Sequence, residues 1–210
     1  MAVKTAVILS ITTVKAAVVG KVGFDEEEDV REDEEEDDVV TDDTDADFHW
    51  LTDHLAVGGC FAAERAAYLA EAHGISAVVD LRAEACDDAA ALRAASIDLL
   101  HLPTPDLEPA SMAMLEHGVE FVRDRIARGE KVLIHCQHGI GRSALLGLCV
   151  LVDRGWEPLE ALAHTKDRRE VISPSRMQYD GWCAWLRSRG FAAPDYHSFG
   201  CIAYRHLPSG

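Results

Sequence analysis

The 210-residue chain has no CxxC pair, no regular cysteine spacing and no apolar run long enough to cross a bilayer, and outside one short segment it has little excess of either charge. Each absence excludes a class. The six cysteines, Cys60, Cys86, Cys136, Cys149, Cys183 and Cys201, form neither a disulfide framework nor a zinc pattern, so reduced thiols and a cytoplasmic location are expected. The histidines of HCQH, His135 and His138, have no second Cys/His pair nearby, and neither a metal nor another cofactor is expected. The net charge of −17 is not spread evenly: Asp25 to Asp47 holds sixteen of the 37 acidic residues and only one of the 20 basic ones, Arg31. Such a segment repels nucleic acid and anionic membranes and buries too little apolar surface to fold alone. Residues 25–47 therefore read as a disordered acidic arm, and neither nucleic acid nor a membrane is an expected partner.

Residues 1–24 are apolar and β-branched, but their longest uncharged stretch, Thr5 to Val14, is too short to span a bilayer. With no small-residue cleavage site before the acidic run, they read as a loosely ordered extension of unknown role. Phe48 to Cys60 suggests two short strands with a turn at Thr52-Asp53. A helix over 61–73, closed by Gly74, precedes a buried strand, Ile75–Leu81, then a helix over 84–95 and a strand over 97–102. His101 to Ala110 holds three prolines and is expected to be an irregular, stiffened loop. Further helices are expected over 111–128, 142–154 and 159–169, and from Ser173 to about Arg189, with Met177, Trp182 and Trp185 inside and Gln178 on the surface. Alternating strands and helices predict an α/β three-layer domain over 48–190. No role is assigned to 191–210, which reads as a C-terminal tail.

The rest of the chain is arranged around KVLIHCQHGIGRS, Lys131 to Ser143. A β-branched run ends at Cys136, Gly139 and Gly141 allow a tight turn, and an apolar run from Ala144 to Val152 suits a buried helix. Strand, glycine-containing turn and helix make an anion cradle of converging backbone N–H groups at a helix N-terminus. A cysteine there is stabilised as its thiolate. Arg142 offers a planar fork matched to two phosphoryl oxygens, and Ser143 places a hydroxyl beside the sulfur.

HCQHGIGRS resembles the Cys-x5-Arg-Ser/Thr signature loop of the cysteine-dependent protein tyrosine phosphatase superfamily, and its flanks and the chain's size resemble the dual-specificity branch. The resemblance implies a mixed, mostly parallel central sheet of four or five strands flanked by helices. It implies Cys136 as nucleophile, Arg142 as phosphate ligand, Ser143 as an aid to hydrolysis of the intermediate, and the loop residues Gln137, His138, Gly139, Ile140 and Gly141 as the substrate cradle. A leaving alkoxide or phenoxide needs a proton as the bond breaks. Asp106, in the proline-rich loop thirty residues before Cys136, matches the family's general acid, with Glu108 as the second choice. The expected substrate is a protein carrying phosphotyrosine and also phosphoserine or phosphothreonine. Two alternatives remain: a non-protein substrate (phosphoinositide, nucleotide or RNA end) or a phosphate-binding module without turnover. Phosphoinositide-selective loops in the superfamily usually add lysines, and this loop has none. A sulfurtransferase would also place a cysteine between strand and helix, but without the paired acid loop.

Overall fold

The computed structural model describes residues 47–207; the apolar extension 1–24 and the acidic arm up to residue 46 lie outside the described residues. Five strands form one mixed sheet: β1 (Phe48–Thr52), β2 (Leu55–Gly58), β3 (Ile75–Arg82), β4 (Asp98–Thr104) and β5 (Lys131–His135). Their order is β1-β2-β5-β3-β4, with β1 antiparallel to β2 and every other pair parallel. Parallel strands covered on both faces need apolar side chains in both alternating sets. In β5, Val132 and Ile134 join one core cluster while Leu133 joins the other.

On the smaller face lie α1 (Ala66–His73), preceded by a single 3-10 turn, and α2 (Ala89–Ala94). They cover Ala56, Val78 and Leu133 with Leu69 and Leu92. On the other face lie α3 (Met112–Ala127), α4 (Arg142–Asp153), α5 (Pro158–Arg168), α6 (Arg176–Ser188) and α7 (Tyr196–Ala203). Every residue of α4 from Arg142 to Val152 is buried, so this helix is apolar all round because it is enclosed by α3, α5 and α6 as well as the sheet. The loop preceding it is thereby anchored to the core.

Four sequence-based expectations change. The strand expected to end at Leu102 continues through Pro103 to Thr104; β4 is an edge strand, where a missing N–H costs no ladder bond. The helix expected from Glu84 starts only at Ala89. Asp88 caps it by accepting from the N–H groups of Ala90 and Ala91, which leaves residues 83–87 as a loop. Met177 is 54% exposed, whereas Trp182 and Trp185 are buried. The segment after residue 190 is not a bare tail: Asp195 caps α7, Phe199 and Ala203 have no exposed surface, and the Tyr204 hydroxyl donates to Pro174 O at 2.7 Å.

Candidate active site

The sheet delivers Cys136 to the C-terminal end of β5, where the chain turns through Gln137–Gly141 into α4. Gly139 takes φ +66°, and a Cβ there would lie 2.4 Å from the backbone carbon of Gly58, so both conformation and space require glycine. Gly141 differs from the expectation. Its φ is −120°, and glycine is needed there because a Cβ would lie 2.4 Å from Gln178 Oε1.

Two arginines organise the loop. Arg169, 2% exposed, donates from Nε to Gly139 O at 2.8 Å and from Nη2 to His138 O at 3.0 Å. Its other contacts are a paired contact with Asp47 at 2.8 Å and His49 Nδ1 at 3.0 Å. Asp47, assigned to the acidic arm, is therefore part of the domain. Arg142, also 2% exposed, makes a two-pronged pair with Glu84, both contacts 2.8 Å, and donates to Thr104 O at 2.9 Å. Its Nε has no partner among the described residues. The Arg142 guanidinium lowers the Glu84 carboxyl to about 2, keeping that partner ionised. Sequence reasoning missed both Glu84 and Arg169: each sits among other charged residues, with nothing in its spacing to point to the loop.

Burial by itself would raise the pKa of the Cys136 thiol. The Ser143 hydroxyl and the N–H groups of Ser143, Gly139 and His138 outweigh burial, and the thiol lies below its ordinary value. Cys136 Sγ and Ser143 Oγ are 3.4 Å apart. His135, with no exposed surface, places Nε2 2.7 Å from Asp87, while His138 is exposed. Among the described residues Asp80 belongs to two clusters of metal-type ligands, one with Cys86 and His101, the other with Asp87 and His135. The Arg82 guanidinium already lies 2.9 Å from Asp80 and 2.5 Å from Asp87 and supplies the positive charge there.

A cavity of about 190 Å³ brings together Cys136, Arg142, Asp106 and Gln178, with His138, Ile140 and Gly141 from the loop. Asp106 Oδ1 is 3.3 Å from Arg142 Nη2 and its side chain is 65% exposed. Glu108 is exposed and does not line the cavity. Gln137 does not reach it either; its carbonyl accepts from the Cys60 N–H at 3.2 Å. Gln178, expected on the surface, is 1% exposed. A larger hollow of about 530 Å³ opens near Lys131 at the opposite end of β5, lined also by Trp50, His54 and Arg168. It contains no thiol.

The model of the dual specificity phosphatase catalytic domain matches residues 60–186. The chain belongs to the dual specificity phosphatase family. Among curated relatives, human dual specificity protein phosphatase 5 is 27% identical over 126 residues, 58% of this chain and 31% of that protein. Mouse phosphatidylglycerophosphatase and protein-tyrosine phosphatase 1 is 32% identical over 97 residues, 44% of this chain and 50% of that one. The chain thus spans half or less of either relative, and 11% of mouse Slingshot homolog 3. Among solved structures, the active form of Tk-PTP superposes with a TM-score of 0.62 at 25% identity, covering 67% of this chain and 96% of that one. No helix among the described residues of this family member is long and apolar enough to cross a membrane.

Proposed function

We propose that the chain hydrolyses phosphate monoesters on protein side chains, phosphotyrosine and also phosphoserine or phosphothreonine, through a cysteinyl-phosphate intermediate. The observation that carries this reading is the convergence of Cys136, Arg142 and Asp106 on one cavity. The Cys136 thiolate attacks phosphorus, forming the S–P bond as the ester P–O bond breaks. Asp106 gives its proton to the departing oxygen. Arg142, held by Glu84, offers its free Nε to the equatorial oxygens, where charge is greatest in the transition state. A water then attacks the cysteinyl phosphate, with the Asp106 carboxylate taking its proton, and the Ser143 hydroxyl donates to the sulfur as it leaves as thiolate. The cycle closes without an external reductant or cofactor. All six cysteines are free, which accords with a reducing, cytoplasmic compartment.

The likeness to a protein named for both lipid and protein-tyrosine phosphatase activity supports a second reading, a phospholipid substrate. Against it, no lysine lines the cavity, and Glu84 and Asp106 lie beside Arg142, an unfavourable field for a polyanionic headgroup. Phosphate release from a panel of phosphopeptides and phosphoinositide vesicles tests the choice. Turnover confined to phosphopeptides is expected, and turnover confined to lipid would overturn the protein-phosphatase reading.

A further inference from the structure

The side chain of Asp106 has little to hold it. It is largely exposed, and among the described residues it approaches Arg142 at 3.3 Å, a group that must also serve the phosphate. The backbone that carries it, by contrast, is fixed at three successive residues, each time by α6. The Ser175 hydroxyl donates to Leu107 O at 2.5 Å. Gln178 Nε2 donates to Glu108 O at 3.3 Å. Pro109 packs so closely on Gly181 that a Cβ there would lie 2.4 Å from Pro109 Cβ. Leu107 itself sits at φ +63°, a left-handed conformation that a leucine keeps only where its surroundings impose it.

The same turn of α6 is tied to the nucleophile loop. Gln178 is wedged against Gly141, and the Ser173 N–H donates to Ile140 O at 3.1 Å. Ser175 and Gln178 also cap the helix reciprocally: the Gln178 N–H donates to Ser175 Oγ at 3.1 Å, and the Ser175 N–H donates to Gln178 Oε1 at 2.8 Å. The hydroxyl of Ser175 thus accepts from the helix and donates to the acid loop at once, which uses its one donor and an acceptor position.

We propose that Ser175 and Gln178, in the first turn of α6, are positioning residues for Asp106, latching the acid loop to the nucleophile loop at a fixed separation. The proposal rests on the reading of Asp106 as general acid and adds the device that places it. Asp106 reaches the leaving oxygen because α6 holds residues 107–109. The capping box that starts this helix is therefore also part of the acid's alignment.

The test measures kcat/KM of the full chain on 4-nitrophenyl phosphate, whose leaving group hardly needs a proton, and on phenyl phosphate, whose leaving group does. Asp106→Asn should lose far more on phenyl phosphate. Ser175→Ala should show the same selectivity to a smaller degree, about 10- to 100-fold on phenyl phosphate, the scale of a misplacement of about 1 Å, with little loss on the nitrophenyl ester. Ser175→Thr, which keeps both hydroxyl roles, should restore the profile. Ser175→Asp still caps the helix but has no proton for Leu107 O; it should fold normally and show the selective loss. Gly181→Ala, which displaces Pro109 without touching the cap, should do likewise. In the Asp106→Asn background, Ser175→Ala should cost nothing further. Equal loss on both esters in the Ser175 variants, an unaltered profile in Gly181→Ala, or a full additional loss in the double variant would overturn the latch while leaving the acid in place. Equal loss on both esters from Asp106→Asn itself would instead overturn the reading of Asp106, and the latch with it.

Discussion

At Cys136, opposing effects meet on one atom. Burial raises the pKa of the thiol, while the Ser143 hydroxyl and three backbone N–H groups bring it below the ordinary value. The sign of the pH dependence follows: as pH falls from about 9, the thiolate persists until that lowered pKa is crossed, and activity should fall with it. Cys86, Cys149 and Cys183 are shifted upward, in each case chiefly by burial. Peptide mapping after mild peroxide at neutral pH should therefore find Cys136 oxidised ahead of these three, and preferential oxidation of any of them would contradict an activated thiolate. Cys136→Ser should abolish turnover while keeping vanadate binding, because the cradle N–H groups and Arg142 remain but a hydroxyl does not ionise there. Arg142→Lys should lose most activity too, since an ammonium cannot replace a fork already gripped on two nitrogens by Glu84; near-normal phosphate release in either variant would remove that residue from the chemistry.

Among the elements, the turn between β5 and α4 has its shape set from outside. Two of its carbonyls, His138 and Gly139, are satisfied by Arg169, which comes from the end of α5. Arg169→Ala strands the buried Gly139 acceptor and frees the part-buried His138 one to water, so unfolding by denaturant should show a loss of about 1–3 kcal/mol for the buried group, with a fall in activity as the cradle loosens. A variant as stable and active as the parent would mean that the loop holds its own shape. The glycines divide the work differently from the sequence expectation: Gly139 is required by backbone angle and Gly141 by the neighbouring Gln178. The strand and helix flanking the loop were legible from apolar patterning, since a buried β5 and an enclosed α4 each carry their burial in their own residues. Pro103 in β4 was not legible, because a proline in a strand is tolerated only at an edge and edges are a property of the sheet.

Across the whole molecule, α7 extends the domain past residue 190. Phe199 is fully buried and its ring lies 4.9 Å from that of Tyr179 and 6.1 Å from that of Trp182. Phe199→Ala should cost about 3–5 kcal/mol and lower Tm by roughly 10 °C for a domain of this size, read by calorimetry; an unchanged Tm would mean that α7 contributes nothing to the core. The sequence alone determined the alternation of strands and helices and the strand-turn-helix loop that carries Cys136, Arg142 and Ser143, because those features depend on residues close together in the chain. The loop that carries Asp106 was legible in part, as proline punctuation, although its first residues belong to β4. Only the tertiary structure decided which distant groups complete the site. Along the chain Glu84 lies 58 residues from Arg142, Asp47 122 from Arg169, Arg169 30 from Gly139 and Ser175 68 from Leu107. No local period connects them; they meet because a parallel sheet gathers the ends of its strands and the loops that follow them at one edge, where a buried guanidinium must find its carboxylate and a buried carbonyl its donor.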